Sequence, residues 1–545
     1  MEFLKLLQTE VSLDLRRMMA MSIIAGLSNA AVLALINIAA NRRDTADGWR
    51  LALMFVIVVA AYSVSQRFVM VRSAREVERI AHRIRGRLIE GLRRCELRDV
   101  ERIGRARILT AMSTDIQTVA QSGNILGLVG QLAVLLVFAA VYLFVLSPMA
   151  LVLFAAFMAV AVVLYYARRS RSNKAMQDAA IAEIGLHELL SGILDGFKEA
   201  KLNRHRSEQL ITDITAHSEQ AAEARSLAQA EFGRNFVFTQ NVFFLLLATM
   251  VFILPTLSEV YSDTMVKTTT AVLFLFGPVS GVIAAIPVFA SANIAAKSIM
   301  ELERLLQQSS AQHPSANSSA DAERASFREI ALRGVRFRFE HAPGEQSFQV
   351  GPIDLVLKAG ETVIISGGNG SGKSTLLRLL TALYSPQAGE ILLDGRLSVP
   401  GDADSYRSLF SAVFSDYHLF KRLYGIMPEA LEEAPDLLHR FEVDDKTSVV
   451  GGAFTTIDLS AGQRKRLALI VAILETRPIC VLDEWAADQD PIFRRKFYTE
   501  LLAMLKQRGV TVIAVSHDER YFDCADRRLH MEEGKFVSDQ GGIHA

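Results

Sequence analysis

The stretch Gly367-Gly-Asn-Gly-Ser-Gly-Lys-Ser-Thr375 fits the pattern G-x-x-x-x-G-K-[ST] and lies between two segments of contrasting character. Before it, Glu361-Thr-Val-Ile-Ile-Ser366 reads as a short apolar strand; after it, Leu376-Leu-Arg-Leu-Leu380 reads as the first turns of a helix. A strand, a glycine loop and a helix start together make an anion site. Gly367, Gly368, Gly370 and Gly372 let the backbone N–H groups of the loop, those of Asn369 and Ser371 included, converge on phosphates. The helix start at Ser374 and Thr375 adds a partial positive charge, and Lys373 supplies a full one for the β and γ phosphates. The Ser374 hydroxyl is placed to hold a magnesium ion. ATP with Mg2+ is the ligand this arrangement predicts.

Working outward, the 545 residues exceed one compact core, and 51% of them are hydrophobic. The apolar excess concentrates in the first 300 residues, in runs near the roughly 20 residues that a helix needs to cross a bilayer. Six runs qualify: Met18–Ala40, Leu51–Val71, Asn124–Leu146, Ala150–Ala167, Phe236–Leu257 and Ala271–Ala290. A soluble core of six such helices would be improbably large. Twelve arginines lie between Arg72 and Arg107, and Arg168, Arg169, Arg171 and Lys174 follow the fourth run, so both of these loops are expected on the cytoplasmic side. The first connection is only weakly basic. An N-terminus inside and six spans leave the C-terminal half inside as well, where ATP is found. No small-residue cleavage site follows the first run, which therefore reads as an anchor rather than a removable signal.

The segments Val77–Arg94 and Ala180–Leu202 alternate apolar and charged residues at helical spacing, so the membrane helices are expected to continue beyond the bilayer. From Leu306 to Phe327 the chain turns polar and rich in Ser, Ala and Asn, the composition of a linker. The expected organisation is a membrane domain over 1–306, a linker over 307–326 and a second domain over 327–545. Inside the spans, Asn37, Gln131, Gln240, Asn241 and Thr268 suit interhelical hydrogen bonds or the lining of a path, and Pro278 and Pro287 predict kinks in the last helix. Cys95, Cys480 and Cys524 form no disulfide or metal pattern. With 59 basic and 59 acidic residues the formal net charge is zero, which argues against a nucleic-acid partner; the arginine-rich loops fit anionic lipid heads instead.

Beyond Phe327, short β-rich runs (Glu329–Leu332, Val335–Phe339, Thr362–Ile365, Glu390–Leu393, Ile479–Leu482, Val510–Val515) alternate with helices. This predicts an α/β domain with a mainly parallel sheet and an antiparallel part at its start. The strand Ile479-Cys-Val-Leu482 ends in Asp483-Glu484, which places Asp483 to hold magnesium and Glu484 to polarise a water attacking the γ-phosphate.

Leu459-Ser-Ala-Gly-Gln463, followed by Arg464-Lys-Arg-Leu-Ala-Leu, resembles the LSGGQ signature of ATP-binding cassette proteins. Six spans followed by one cassette resemble an ABC exporter half-transporter over the whole chain. The implied fold is an all-α six-helix transmembrane domain followed by an α/β P-loop ATPase domain. The resemblance implies that Ser460, Gly462 and Gln463 meet the γ-phosphate of an ATP held by a second cassette, hence a homodimer. It likewise implies that Phe339 stacks on adenine, that His517 contacts the γ-phosphate, and that Asp490 links the two nucleotide sites. Ser415 stands where most cassettes carry a glutamine, which puts the metal contact from its loop in question, and the segment up to Ser460 is short for a helical subdomain.

The phrases VFSDYHLF (413–420), VLDEWAADQDP (481–491), ERIGRARILTAMSTDI (101–116) and ELLSGILDGFKEAKLNRHR (188–206) look like those of bacterial exporters of cyclic peptides and peptide siderophores. That resemblance implies an inner-membrane homodimer that moves a peptidic or siderophore-like cargo from cytosol to periplasm. A lipid or multidrug exporter shares every ATP-site residue, and a membrane-anchored ATP-driven regulator that transports nothing is the alternative from a different class.

Overall fold

The computed structural model describes residues 2–3, 5–6, 15–41, 48–257, 259–312, 327–339, 348–399 and 403–541. They form two compact units: Met1–Glu90 with Ala106–Arg304, and Gly91–Arg105 with Leu305–Ala545. The linker expected from residue 307 begins as helix, because the last long helix runs on to Gln312; the rest of it, 313–326, lies outside the described residues.

The first unit is helical: α1 (Leu15–Asn41), α2 (Gly48–Arg93), then, past a short helix α3 (Leu97–Ile103) that belongs to the second unit, α4 (Ile116–Leu146), α5 (Pro148–Asp195), α6 (Phe197–Leu202), α7 (Arg204–Ala248) and α8 (Glu259–Gln312). The 46 residues of α2 make a rod of about 70 Å, more than twice the thickness of a hydrocarbon core. The expected extension of α2 is thus a continuation of the same helix. The extension of α5 stops at Gly196, whose N–H returns to Gly192 O, and α6 is a separate turn. Local sequence sets the other joints. Ser147 caps α5 by accepting from the Ala150 N–H, with Pro148 at the position where its missing N–H costs nothing. Asn203 caps α7 in the same way.

Five helices among the described residues are long and apolar enough to cross a membrane, against the six expected. The fourth run is the exception: its apolar part covers only Pro148–Leu164, and Arg168 and Arg169 follow in the sequence. Large apolar side chains such as Val145, Val152, Val163 and Phe252 are exposed on this unit, as an apolar solvent requires. Its core joins Leu33, Leu143, Phe154, Phe243, Met250 and Leu275 from five helices or their continuations. Gly123 and Gly26 allow close approach, since a Cβ there would meet the Val77 side chain at 2.5 Å and the Val134 side chain at 2.7 Å. Asn37 Nδ2 donates to Tyr142 Oη at 3.0 Å and to Lys267 O at 3.2 Å, the interhelical bonding that polar residues in spans favour. The helix α8 passes Pro278 and Pro287 without a break in its assignment, so neither proline ends it.

The second unit carries the α/β domain. A four-stranded antiparallel sheet has the order β2-β1-β4-β5, and a six-stranded sheet has the order β12-β11-β3-β10-β9-β6. The strands are β1 (Glu329–Arg338), β2 (Gln349–Lys358), β3 (Thr362–Ser366), β4 (Ala388–Leu393), β5 (Arg396–Val399), β6 (Phe410–Val413), β7 (Val449–Val450), β8 (Ala453–Phe454), β9 (Ile479–Asp483), β10 (Thr511–Val515), β11 (Arg527–Glu532) and β12 (Lys535–Gly541). The large sheet is parallel except for the β11–β12 hairpin.

Alternation explains how a continuously apolar strand is used. Val363, Ile365, Val481, Ile513 and Val515 enter the core on one side of the large sheet; Ile364, Cys480, Leu482, Val512 and Ala514 enter the core on the other. Burial on both faces holds Cys480 as a thiol, with its pKa pushed up to about 12 by desolvation. Replacing Ile513, which is fully buried at the sheet centre, by Ala should cost about 2–5 kcal/mol. A lowered unfolding midpoint, followed through the fluorescence of buried Trp485 in the detergent-solubilised full chain, is the expected readout.

Candidate functional site

Strand β3 delivers the glycine loop, and backbone geometry explains its glycines. At Gly367 a Cβ would lie 2.1 Å from Met531 O, so only glycine lets the chain leave β3 against β11. Gly370 and Gly372 have φ of 77° and 101°, and Gly372 directly precedes helix α9 (Lys373–Leu380). The loop opens into a cleft of about 480 Å³ lined by Phe348, Asn369, Gly370, Gly372, Lys373, Ser374, Thr375 and Glu484. Lys373 is only 5% exposed, and its ammonium donates to Gly367 O at 3.0 Å and Gly368 O at 2.8 Å. The charge is thereby held at the loop by neutral acceptors, which phosphate oxygens can replace with stronger charge-assisted bonds.

Strand β9 delivers the acids. Asp483 is 1% exposed; its Oδ2 accepts from Ser415 Oγ at 3.2 Å, and its Oδ1 is buried without a hydrogen-bond partner. A buried carboxylate oxygen without a donor is costly, and a divalent cation or its bound water would satisfy it. Asp483, next in the chain to Glu484 of the cleft lining, therefore fits as a ligand for the Mg2+ that accompanies a nucleotide, with Ser374 of the lining as the other. No cluster of three or more His, Cys, Asp or Glu exists among the described residues. Ser415, the departure from the expected glutamine, does reach Asp483 despite its short side chain.

Glu484 adopts a left-handed conformation (φ 50°, ψ 34°), a strained choice for a glutamate. Its backbone is pinned on both sides: its N–H donates to Val515 O at 3.2 Å, and its carbonyl accepts from Lys465 Nζ at 3.0 Å. The carboxylate Oε1 lies 3.1 Å from His517 Nε2, at the end of β10. Lys465, nearly buried and also paired with Asp488 at 2.7 Å, holds Glu484 in place. Sequence reading overlooked it because it sits among the basic residues that follow the signature.

The signature segment starts helix α10 (Ala461–Leu474). Ser460 Oγ accepts from Gln463 N–H at 3.3 Å, and Gln463 Oε1 accepts from Ser460 N–H at 3.2 Å, a reciprocal capping box. Ser460 is exposed, and Ser460, Gly462 and Gln463 do not line the cleft of their own chain. Asp490 caps helix α11 (Pro491–Lys496) and pairs with Arg466 at 2.7 Å. The Phe493 N–H, followed by the Arg466 charge, holds its carboxyl below the usual aspartate range. Gln489 Nε2 bonds Gly462 O at 3.0 Å, tying the start of α10 to the segment that ends in Asp490.

Phe339 lies at the end of β1, half-buried, with its ring edge-on to Phe337 at 5.2 Å; its N–H donates to Phe348 O at 3.2 Å. The aromatic lining the cleft is Phe348, across the ladder from Phe339. The sequence signal for Phe348 was β2 itself, which Gly351 and Pro352 obscured.

Residues 350–487 match the family model described as ABC transporter. The chain is 34% identical over 475 residues to the ATP-binding protein SyrD of Pseudomonas syringae pv. syringae, covering 85% of this chain and 83% of that protein. An ATP-dependent lipid A-core flippase of Alkalilimnicola ehrlichii is 29% identical over 67% of this chain and 61% of its own length. The probable syringafactin export protein SyfD of Pseudomonas syringae pv. syringae is 32% identical over 39% of this chain and 34% of its own. The structure of a bacterial Atm1-family ABC exporter with ATP bound superposes with a TM-score of 0.76 at 16% identity, covering 98% of this chain and 96% of the other, a likeness of fold. Near-full-length identity to a relative and a phosphate cradle facing an acidic strand end therefore lead to one conclusion: the chain belongs to the ABC transporter family, as an exporter-type half-transporter that couples ATP hydrolysis to transport.

Proposed function

We propose that two copies of this chain form a homodimer in the bacterial inner membrane, with the ATPase domains in the cytoplasm, and export a peptidic natural product or peptide siderophore to the periplasm. The observation that carries the ATP step is Glu484 in the lining of the Lys373 cleft, its backbone fixed by Lys465 and Val515 and its carboxylate beside His517. ATP enters with its phosphates on the loop Gly367–Thr375 and exchanges for the two carbonyls now on Lys373. Magnesium, held by Ser374 and Asp483, would neutralise phosphate charge. Glu484 accepts a proton from water as the water oxygen attacks the γ-phosphorus and the bond to the β-phosphate oxygen breaks, giving ADP and phosphate. His517 orients the carboxylate.

The position of the signature supports the homodimer. Ser460 and Gln463 have satisfied each other, yet the first N–H groups of a helix lack intrahelical partners and attract anions. Facing another chain's cleft, that terminus closes over the γ-phosphate, and Asp490 lies beside the joint. Adenine stacks on Phe339 or on Phe348. The cargo reading is supported by the phrases around Glu101, Glu188, Val413 and Val481, and by likeness to proteins named for SyrD and for syringafactin export. The likeness to lipid A-core flippases favours lipid export as the second reading.

Glu484→Gln should lower phosphate release by about 100-fold or more while ATP still binds and holds the dimer closed, since a positioned base contributes about that much. Lys373→Ala should weaken ATP binding about 10- to 100-fold, the loss of a charge-assisted contact, read by nucleotide titration of the purified protein. For the cargo, inside-out vesicles with ATP should accumulate a labelled cyclic peptide; accumulation or flipping of lipid alone would favour the second reading, and no flux of any solute would favour a regulator.

A further inference from the structure

The segment Gly91–Arg105 comes from the N-terminal half of the chain but packs within the ATPase unit. Leu97 packs against the core below the antiparallel sheet, and the Arg98 guanidinium lies over the Phe337 ring at 5.4 Å. The acids of this segment meet a continuous line of polar groups. Ser385 Oγ donates to Glu96 Oε1 at 2.5 Å, and Ser309 Oγ donates to Asp99 Oδ2. Tyr384 Oη donates to Glu101 Oε2 at 2.8 Å and accepts from Arg378 Nη1 at 2.9 Å. Arg378 Nη2 donates to Asp416 Oδ2 at 3.1 Å. Asp416 is the chain neighbour of Ser415, whose hydroxyl is on Asp483.

A serine has a single side-chain oxygen on Cβ and cannot span from Asp483 to residues 91–105 by itself. Arg378 and Tyr384 bridge the remaining distance, and both are well anchored. Tyr384 is 1% exposed and stacks on Phe337 at 5.0 Å, while Arg378 projects from α9, the helix that begins with Lys373. One rigid helix thus carries the phosphate-binding lysine at its start and the bridging arginine in its last turn.

We propose that Arg378 and Tyr384 are positioning residues that connect the metal-site aspartate to Glu101, a relay Asp483–Ser415–Asp416–Arg378–Tyr384–Glu101 doing with charged hydrogen bonds what one long side chain at 415 does not. The segment joins the end of α2 at Arg93 to the helix that starts at Arg105 and runs on to Leu146, so any shift of it passes along the chain to two membrane helices. The relay concerns the ATPase step and is independent of which cargo moves.

The test is a double-mutant cycle on the full-length protein in lipid nanodiscs. Tyr384→Phe keeps the stacked ring and removes only the bridging hydroxyl; Glu101→Gln removes the charge at the far end. Each should lower the kcat of ATP hydrolysis about three- to tenfold with KM for ATP and Tm unchanged, and the double variant should fall no further than the singles, the mark of residues acting as one unit. Losses that multiply in the double variant, a single variant with wild-type kcat, or an effect on KM or Tm alone would overturn the relay.

Discussion

Four parallel strands ending level with one another are what the rest of the ATPase unit depends on. Val515 of β10 pairs with Ile365 of β3 on one side and with Asp483 of β9 on the other, and Val413 of β6 pairs with Leu482. Each strand releases its functional group at that shared edge: the glycine loop after β3, Glu484 after β9, His517 after β10 and Ser415 after β6. Ligands of open α/β sheets sit at the carboxyl ends of strands for this reason. Sliding any one strand by a residue would turn its apolar side chains to the wrong core and move its functional group out of reach.

Burial on both faces of the sheet enforces that register, and the left-handed Glu484 shows what it supports. A conformation unfavourable for a glutamate is held because Val515 and the nearly buried Lys465 fix its two backbone groups. Lys465 stands on α10 a few residues after Ser460, so the element expected to meet another chain's nucleotide also holds Glu484 in its own chain. A change at the start of α10 reaches Glu484 through one hydrogen bond.

The parts of the fold legible in sequence were those whose function forces composition. A phosphate cradle needs glycines at fixed places and a lysine, a bilayer needs long apolar runs, and a buried strand ending in two acids is distinctive. Among the strands that escaped reading, four have a physical excuse: β2 carries Gly351 and Pro352, β6 has four residues, and β11 and β12 bear charges where the hairpin meets solvent. Lys465, Phe348 and the Arg378–Tyr384 bridge were invisible because their roles depend on partners far away in the chain. Signals of organisation were misread in the same way. Residues 91–105 have the basic, amphipathic look of their neighbours, and only tertiary packing assigns them to the ATPase unit.

The central claim is that each chain supplies half of two shared sites, the Lys373 loop of one copy facing the Ser460 helix of the other. The most direct measurement joins a Lys373→Ala chain to a Ser460→Arg chain, each inactive alone, and assays ATP hydrolysis by mixed dimers purified through two different tags. One of their two sites would pair an intact Lys373 loop with an intact Ser460 helix, so the account predicts that hydrolysis returns. Mixed dimers as inactive as either parent would contradict it.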